Sequence, residues 1–266
     1  MLELLQWPVF QRALAAGILV GFLASYFGVF VVQRRLALMG VGLAHAAFGG
    51  VALGILLGLE PLYVALPFTM AVAAGMVWVQ ERTQLAADTT IGIFFAVSMA
   101  LGIIFLALKE GPTGDAFALL FGSILAVQRS DLWFAGGAVA LTLLAAPLWR
   151  TWAYATFDRQ LAATDRLPVR RHDYLLTMSM AAVVVISIKI VGILLIAAFL
   201  VLPPATARLL APTFAVMTVI SVILGCGTVV AGLVLAYFLD LPASAVIILL
   251  QAALFFTVLL LSGLRR

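Results

Sequence analysis

MGVGLAHAAFGGVALG, residues 39–54, places one histidine inside an apolar run studded with glycine. A bilayer offers no water to backbone amides, so a lipid-embedded segment of this kind has to be a helix that satisfies its own hydrogen bonds. An imidazole at the centre of such a helix is costly unless it meets protein or serves a function. The stretch therefore poses a fold question and a functional one together.

The rest of the chain answers the first. Hydrophobic residues make up 65% of the 266 positions and charged residues 10%. A soluble domain cannot hide that much apolar surface, so the solvent of this protein is a bilayer. About 20 apolar residues of helix cross about 30 Å of hydrocarbon. Eight such windows occur, near 10–32, 42–58, 62–79, 90–108, 131–149, 174–201, 213–238 and 243–262. The sixth is too long for one straight span and holds Lys189, which points to a tilted, broken or partly re-entrant helix. DAFALLFGSILAV (115–127) is apolar but short, which suits a half-helix or a further span. The reading is an all-α integral membrane protein of about eight transmembrane helices, one domain over residues 1–266.

Basic residues set the orientation. Arg34 and Arg35 follow the first window, and the longest polar loop, 150–173, holds Arg150, Arg159, Arg166, Arg170 and Arg171. Both follow odd-numbered spans and fall on one side, the cytoplasmic one. Eight spans then put both termini outside, with Arg265 and Arg266 on the wrong side of the rule. The N-terminal MLELLQWPVFQ lacks a basic region and carries Glu3, so it does not read as a cleaved signal peptide.

In the second span Gly42, Ala46, Gly50, Gly54 and Gly58 recur every fourth residue, a ridge of small side chains that lets another helix approach closely. Spacing alone suits packing within one subunit and a subunit interface equally well. His45 lies beside the ridge and faces protein.

The chemical inventory is sparse. Neither of the two lysines completes a GxxxxGK[ST] phosphate loop, there is no HExxH, and no GxSxG pairs with a second histidine. Enzymes need convergent groups, and few are available here. The lone Cys226 sits in an apolar run and reads as packing, and His172 falls in the basic loop, where solvation is expected. His45 is either a neutral imidazole bonded to a carbonyl of a neighbouring helix, or a ligand or gate on a transport path. Lys189 pairs with an acid such as Asp88 or Asp131, or snorkels. In ATFDRQLAATDRLPVRRHDYLL (155–176), Asp158 is a good N-cap for a short helix, DRQLAATDRL, which Pro168 would stop. Such a helix suits docking to a soluble partner or resting on anionic headgroups.

Several segments together resemble the permease subunits of bacterial ABC importers for zinc, manganese and related divalent metals. GVFVVQRRLALMGVGLAHAAFGGVALG (28–54) is similar to that family's signature, a basic pair followed by Gly-Asp-x-Leu-x-His-Ala and a glycine-rich run. TTIGIFFAVSMALGIIFLA (89–107), LLFGSILAVQRSDL (119–132), FDRQLAA (157–163), VGILLIAAFLVLPPATARLLA (191–211) and LAYFLDLPASAVIIL (235–249) resemble its later segments in order. The resemblance implies an ABC importer permease fold in the bacterial inner membrane, a homodimer, two cytoplasmic ATP-binding subunits and an extracytoplasmic metal-binding protein. It implies no tightly bound cofactor and no nucleic acid: the divalent metal is cargo and ATP binds the partner subunit. It assigns metal contact to His45 and ATPase coupling to Phe157, Asp158, Arg159, Leu161 and Arg166, in the loop near 155–173.

One departure bears on the cargo. The family's aspartate position is Val41 here, and Ala44 replaces its usual serine. Glu60, Asp88 and Asp240 are candidates to supply the missing charge. Loss of a hard oxygen ligand tilts the expectation from manganese toward zinc. Two rival functions remain: a proton-coupled secondary transporter with His45 as its titrating group, and an ABC permease for a metal chelate such as a siderophore or corrinoid. The first lacks the paired inverted repeats and intramembrane acids such transporters carry.

Overall fold

The computed structural model describes residues 7–83, 85–109, 122 and 124–263. The terminal stretches 1–6 and 264–266, and most of the 115–127 segment, lie outside the described residues. So do Glu3, Arg265 and Arg266.

Four helices come first: α1 (Pro8–Gln33), α2 (Met39–Leu57), α3 (Pro61–Thr83) and α4 (Ala87–Ala107). A 3₁₀ turn (Ile124–Ala126) leads into α5 (Arg129–Leu144), α6 (Leu148–Phe157) and the short α7 (Arg159–Thr164). Then follow α8 (Val169–Leu210), α9 (Phe214–Leu239) and α10 (Ala243–Gly263). Among the described residues, seven helices are long and apolar enough to cross a membrane, or up to eight if the bent pair α5–α6 is one span. This is an all-α membrane protein with the expected windows filled by helix.

The fifth window differs in detail. α5 stops at Leu144, and α6 departs from it at 74° after a turn ending in Pro147, whose ring removes an amide donor. α6 runs under α1, with Trp152 buried against Phe27 and Phe30. Much of the expected basic loop is therefore helix.

The sixth window is broken, and the break turns the chain round. Gly192 has φ 79° and ψ 167°, a conformation that excludes side chains. Before it, α8 climbs from Asp173, which bonds Arg34 at the basic face, to Lys189, which lines a cavity with Glu60 and Pro61 at the far face. After it, Leu200 packs on Gly28 and Gly40, back near the basic face. Gly122 (φ 62°) lies directly against the backbone of Val191 and Gly192, leaving no room for a Cβ.

This reversal changes the expected topology. α9 starts at the basic face, where Phe214 stacks on Trp149 and meets Phe30 and Phe157. It then runs antiparallel to α1, with Ser221 donating to the Ser25 carbonyl at 2.9 Å and Gly21 against Gly225. α10 runs antiparallel to α9, with Gln251 donating to Thr228 at 3.1 Å. The end of α10 thus lies on the same face as Arg34, not on the opposite face that eight uninterrupted spans would give.

Candidate functional site

α2 is buried along most of its length because its small residues let α3 and α4 close on it. A Cβ added at Gly42 would meet Ile91 of α4 at 2.6 Å, one at Gly50 would meet Ala65 Cα of α3 at 2.6 Å, and one at Gly54 would meet Pro61 Cα at 2.8 Å. Ala46 is fully buried in the same row. The ridge is thus occupied by helices of its own chain. Gly58 is not part of it: nothing lies near it, and its φ of 68° makes it the left-handed cap that ends α2.

His45 is half-buried beside this row. Its ring meets Phe95 of α4 edge-on, centroids 4.7 Å apart. Nδ1 lies 2.9 Å from the Val41 carbonyl, one turn back on the same helix rather than on a neighbouring one. A carbonyl only accepts, so in the neutral ring this contact puts the proton on Nδ1 and leaves the lone pair on Nε2. That tautomer can ligate a metal through Nε2, with the backbone as its orienting partner. Val41 thus orients the imidazole through its backbone while its side chain supplies no carboxylate.

The candidate acids are elsewhere. Glu60 is on the α2–α3 turn at the far face, Asp240 caps α9 there with φ 52°, and Asp88 is in the first turn of α4, two turns below Phe95. Among the described residues no three of His, Cys, Asp and Glu gather as a metal site.

Lys189 resolves to Asp131: Nζ and Oδ1 are 2.8 Å apart. The other carboxylate oxygen accepts the Gln128 amide at 2.9 Å in the capping box that starts α5. Cys226 packs against α1, its thiol 3.6 Å from the Ile18 carbonyl.

At the basic face, Asp158 caps α7 by accepting the Leu161 amide at 2.8 Å. The helix ends earlier than Pro168, at Thr164, where Arg166 turns left-handed (φ 60°) and Tyr154 holds Asp165 at 2.6 Å. Ala162 faces in, while Phe157, Arg159, Leu161 and Arg166 are exposed. His172 is not a solvated loop residue. It sits in the first turn of α8 with Nδ1 buried and without a hydrogen-bond partner among the described residues.

Sequence reasoning missed the charges that meet behind α7. Arg34 binds Asp173 at 2.7 Å and Thr156 at 2.9 Å, and Arg170 binds Glu81 at 2.8 Å. The available signal was their position: acids and bases at the ends of apolar helices need partners when buried.

The family model for the ABC 3 transport family matches residues 6–262, nearly the whole chain. The chain belongs to the ABC 3 transport family. Among curated members of similar sequence, the manganese transport system membrane protein MntC of Halalkalibacterium halodurans is 34% identical, with 95% of this chain and 87% of that one aligned. The high-affinity zinc uptake system membrane protein ZnuB of Haemophilus influenzae is 32% identical, over 91% and 94%. Among solved structures, PsaBC from Streptococcus pneumoniae in complex with Fab matches with a TM-score of 0.84 and 33% identity, covering 96% of this chain and 92% of that one. As a member of the ABC 3 transport family the chain has the ABC permease fold and is a multi-pass protein of the bacterial inner membrane.

Proposed function

We propose that this chain is the permease subunit of an ATP-driven importer for divalent metal ions, with zinc as the preferred cargo. The observation that carries the metal reading is His45: a half-buried imidazole on a closely packed helix, its Nδ1 tied to Val41 and its Nε2 free to coordinate. A transit site has to bind weakly enough to release, and one imidazole per chain suits that need. Valine at position 41 removes a hard oxygen ligand, which favours borderline Zn²⁺ over Mn²⁺. Manganese is the second reading, favoured by the comparable identity to MntC.

The ABC 3 family match supports a division of labour in which ATP hydrolysis, metal capture and membrane passage sit on separate subunits. On this reading two copies of the chain pair, two cytoplasmic ATPase subunits dock on the exposed side of α7, Phe157, Asp158, Arg159, Leu161 and Arg166 couple them to the bundle, and an extracytoplasmic protein delivers the ion. Uptake of radioactive zinc and manganese into vesicles holding the complete complex tests it. ATP-dependent zinc uptake, faster than manganese at equal concentration, is the expected result. Uptake that persists without the ATPase and collapses with an uncoupler would mean a proton-driven transporter instead.

A further inference from the structure

α7 is poorly packed against the membrane body. Its Ala162 forms a small cluster with Ala155 and Val169, apart from the main core. What ties α7 to the crossing helices is charge. Arg159, its first residue, reaches Asp173 of α8 at 3.1 Å and Glu81 of α3 at 3.9 Å. Asp173 also holds Arg34 of α1, and Glu81 also holds Arg170 of α8. The two carboxylates are 8% and 17% exposed, whereas Arg159 is 61% exposed. The arginine therefore runs from the surface to acids that are nearly sealed.

Around these groups lies a polar cavity of about 330 Å³, lined by Arg34, Gln80, Glu81, Arg159, Asp173 and Thr177 among others. A close-packed joint would lock α7 in one pose. A cavity bridged by ion pairs leaves space for exchange. Arg159 already has one nearer and one farther partner, and the Asp173 Oδ2 it faces has no aligned hydrogen bond among the described residues. Arg34 Nη2 and Gln80 Nε2 are buried in the same region with no hydrogen-bond partner among the described residues. A carboxylate released by Arg159 thus finds donors close by. Two discrete pairings of one network are what mechanical coupling between distant elements requires.

We propose that Arg159 is the positioning residue through which displacement of α7 reaches α1, α3 and α8. The inference rests on the reading of α7 as the ATPase docking surface. Its test is zinc uptake and ATP hydrolysis measured together on the complete complex in proteoliposomes, for wild type, Arg159→Gln, Arg159→Lys and Glu81→Gln. Arg159→Gln and Glu81→Gln are expected to co-purify with the ATPase and hydrolyse ATP while moving about fivefold less zinc per ATP, or lower still. Arg159→Lys, which keeps the charge, is expected to recover part of the loss. A wild-type ratio in Arg159→Gln overturns the proposal. So does loss of ATPase binding in Arg159→Gln with a normal ratio in Glu81→Gln, since Arg159 is then a docking contact. A wild-type chain that binds no ATPase sinks the reading of α7 itself, and this proposal with it.

Discussion

Lys189 Nζ and Asp131 Oδ1 meet at 2.8 Å, joining the first arm of α8 to the start of α5 at the far face of the bundle. Asp131 is nearly sealed from solvent, while a third of the Lys189 side chain remains exposed. Removing the lysine strands the acid. Lys189→Met is expected to destabilise the detergent-solubilised chain by about 1.5–3 kcal/mol. Lys189→Met with Asp131→Leu should cost less than the two single changes summed, because neither charge is left alone. Thermal unfolding of the four proteins checks this, and strict additivity would show that the pair does not couple.

The turn at Gly192 makes a sharper case. Its backbone angles belong to glycine, so Gly192→Ala should cost about 1–3 kcal/mol. Gly122→Ala adds a collision with the backbone of Val191 and Gly192 and should be at least as harmful. The yield of folded, non-aggregated protein on size-exclusion chromatography reports both.

The same windows that gave the helices hid this reversal. A bilayer span is legible because hydrocarbon demands a length of apolar residues, and Val169–Leu210 remains apolar straight through the break. Only its excess length, with Lys189 inside, signalled a fault. Hydropathy likewise could not tell α6 from loop: its arginine and aromatic residues suit an amphipathic helix beneath α1. His45 stood out as a charge-capable group in an apolar run, and Asp158 as a cap. The network of Arg34, Glu81, Arg159 and Asp173 did not, because its members are scattered over the chain and meet only when α1, α3, α7 and α8 are brought together.

The small-residue row of α2 predicts a contrast between glycines. Gly50→Ala pushes a methyl into the Ala65 backbone and should destabilise by about 1–3 kcal/mol. Gly136→Ala in α5 meets open space, so the better helix propensity of alanine should leave stability unchanged or raise it by about 1 kcal/mol. Unfolding midpoints of the two variants should move in opposite directions or differ clearly in size.

Asp158→Ala removes the cap from a six-residue helix that has little else to hold it. A lost cap costs about 1 kcal/mol, enough to fray α7 without unfolding the bundle. The expected outcome is weaker retention of the ATPase in a pull-down, with the chain's own melting temperature little changed. Undiminished retention would separate the cap from docking.

The role of His45 is tested most directly by zinc uptake through the assembled complex with His45→Ala. The complex is expected still to form and to hydrolyse ATP, while zinc transport falls to background. Transport at the wild-type rate would contradict that role, leaving His45 as a packing residue against Phe95 and placing the ion's path elsewhere in the bundle.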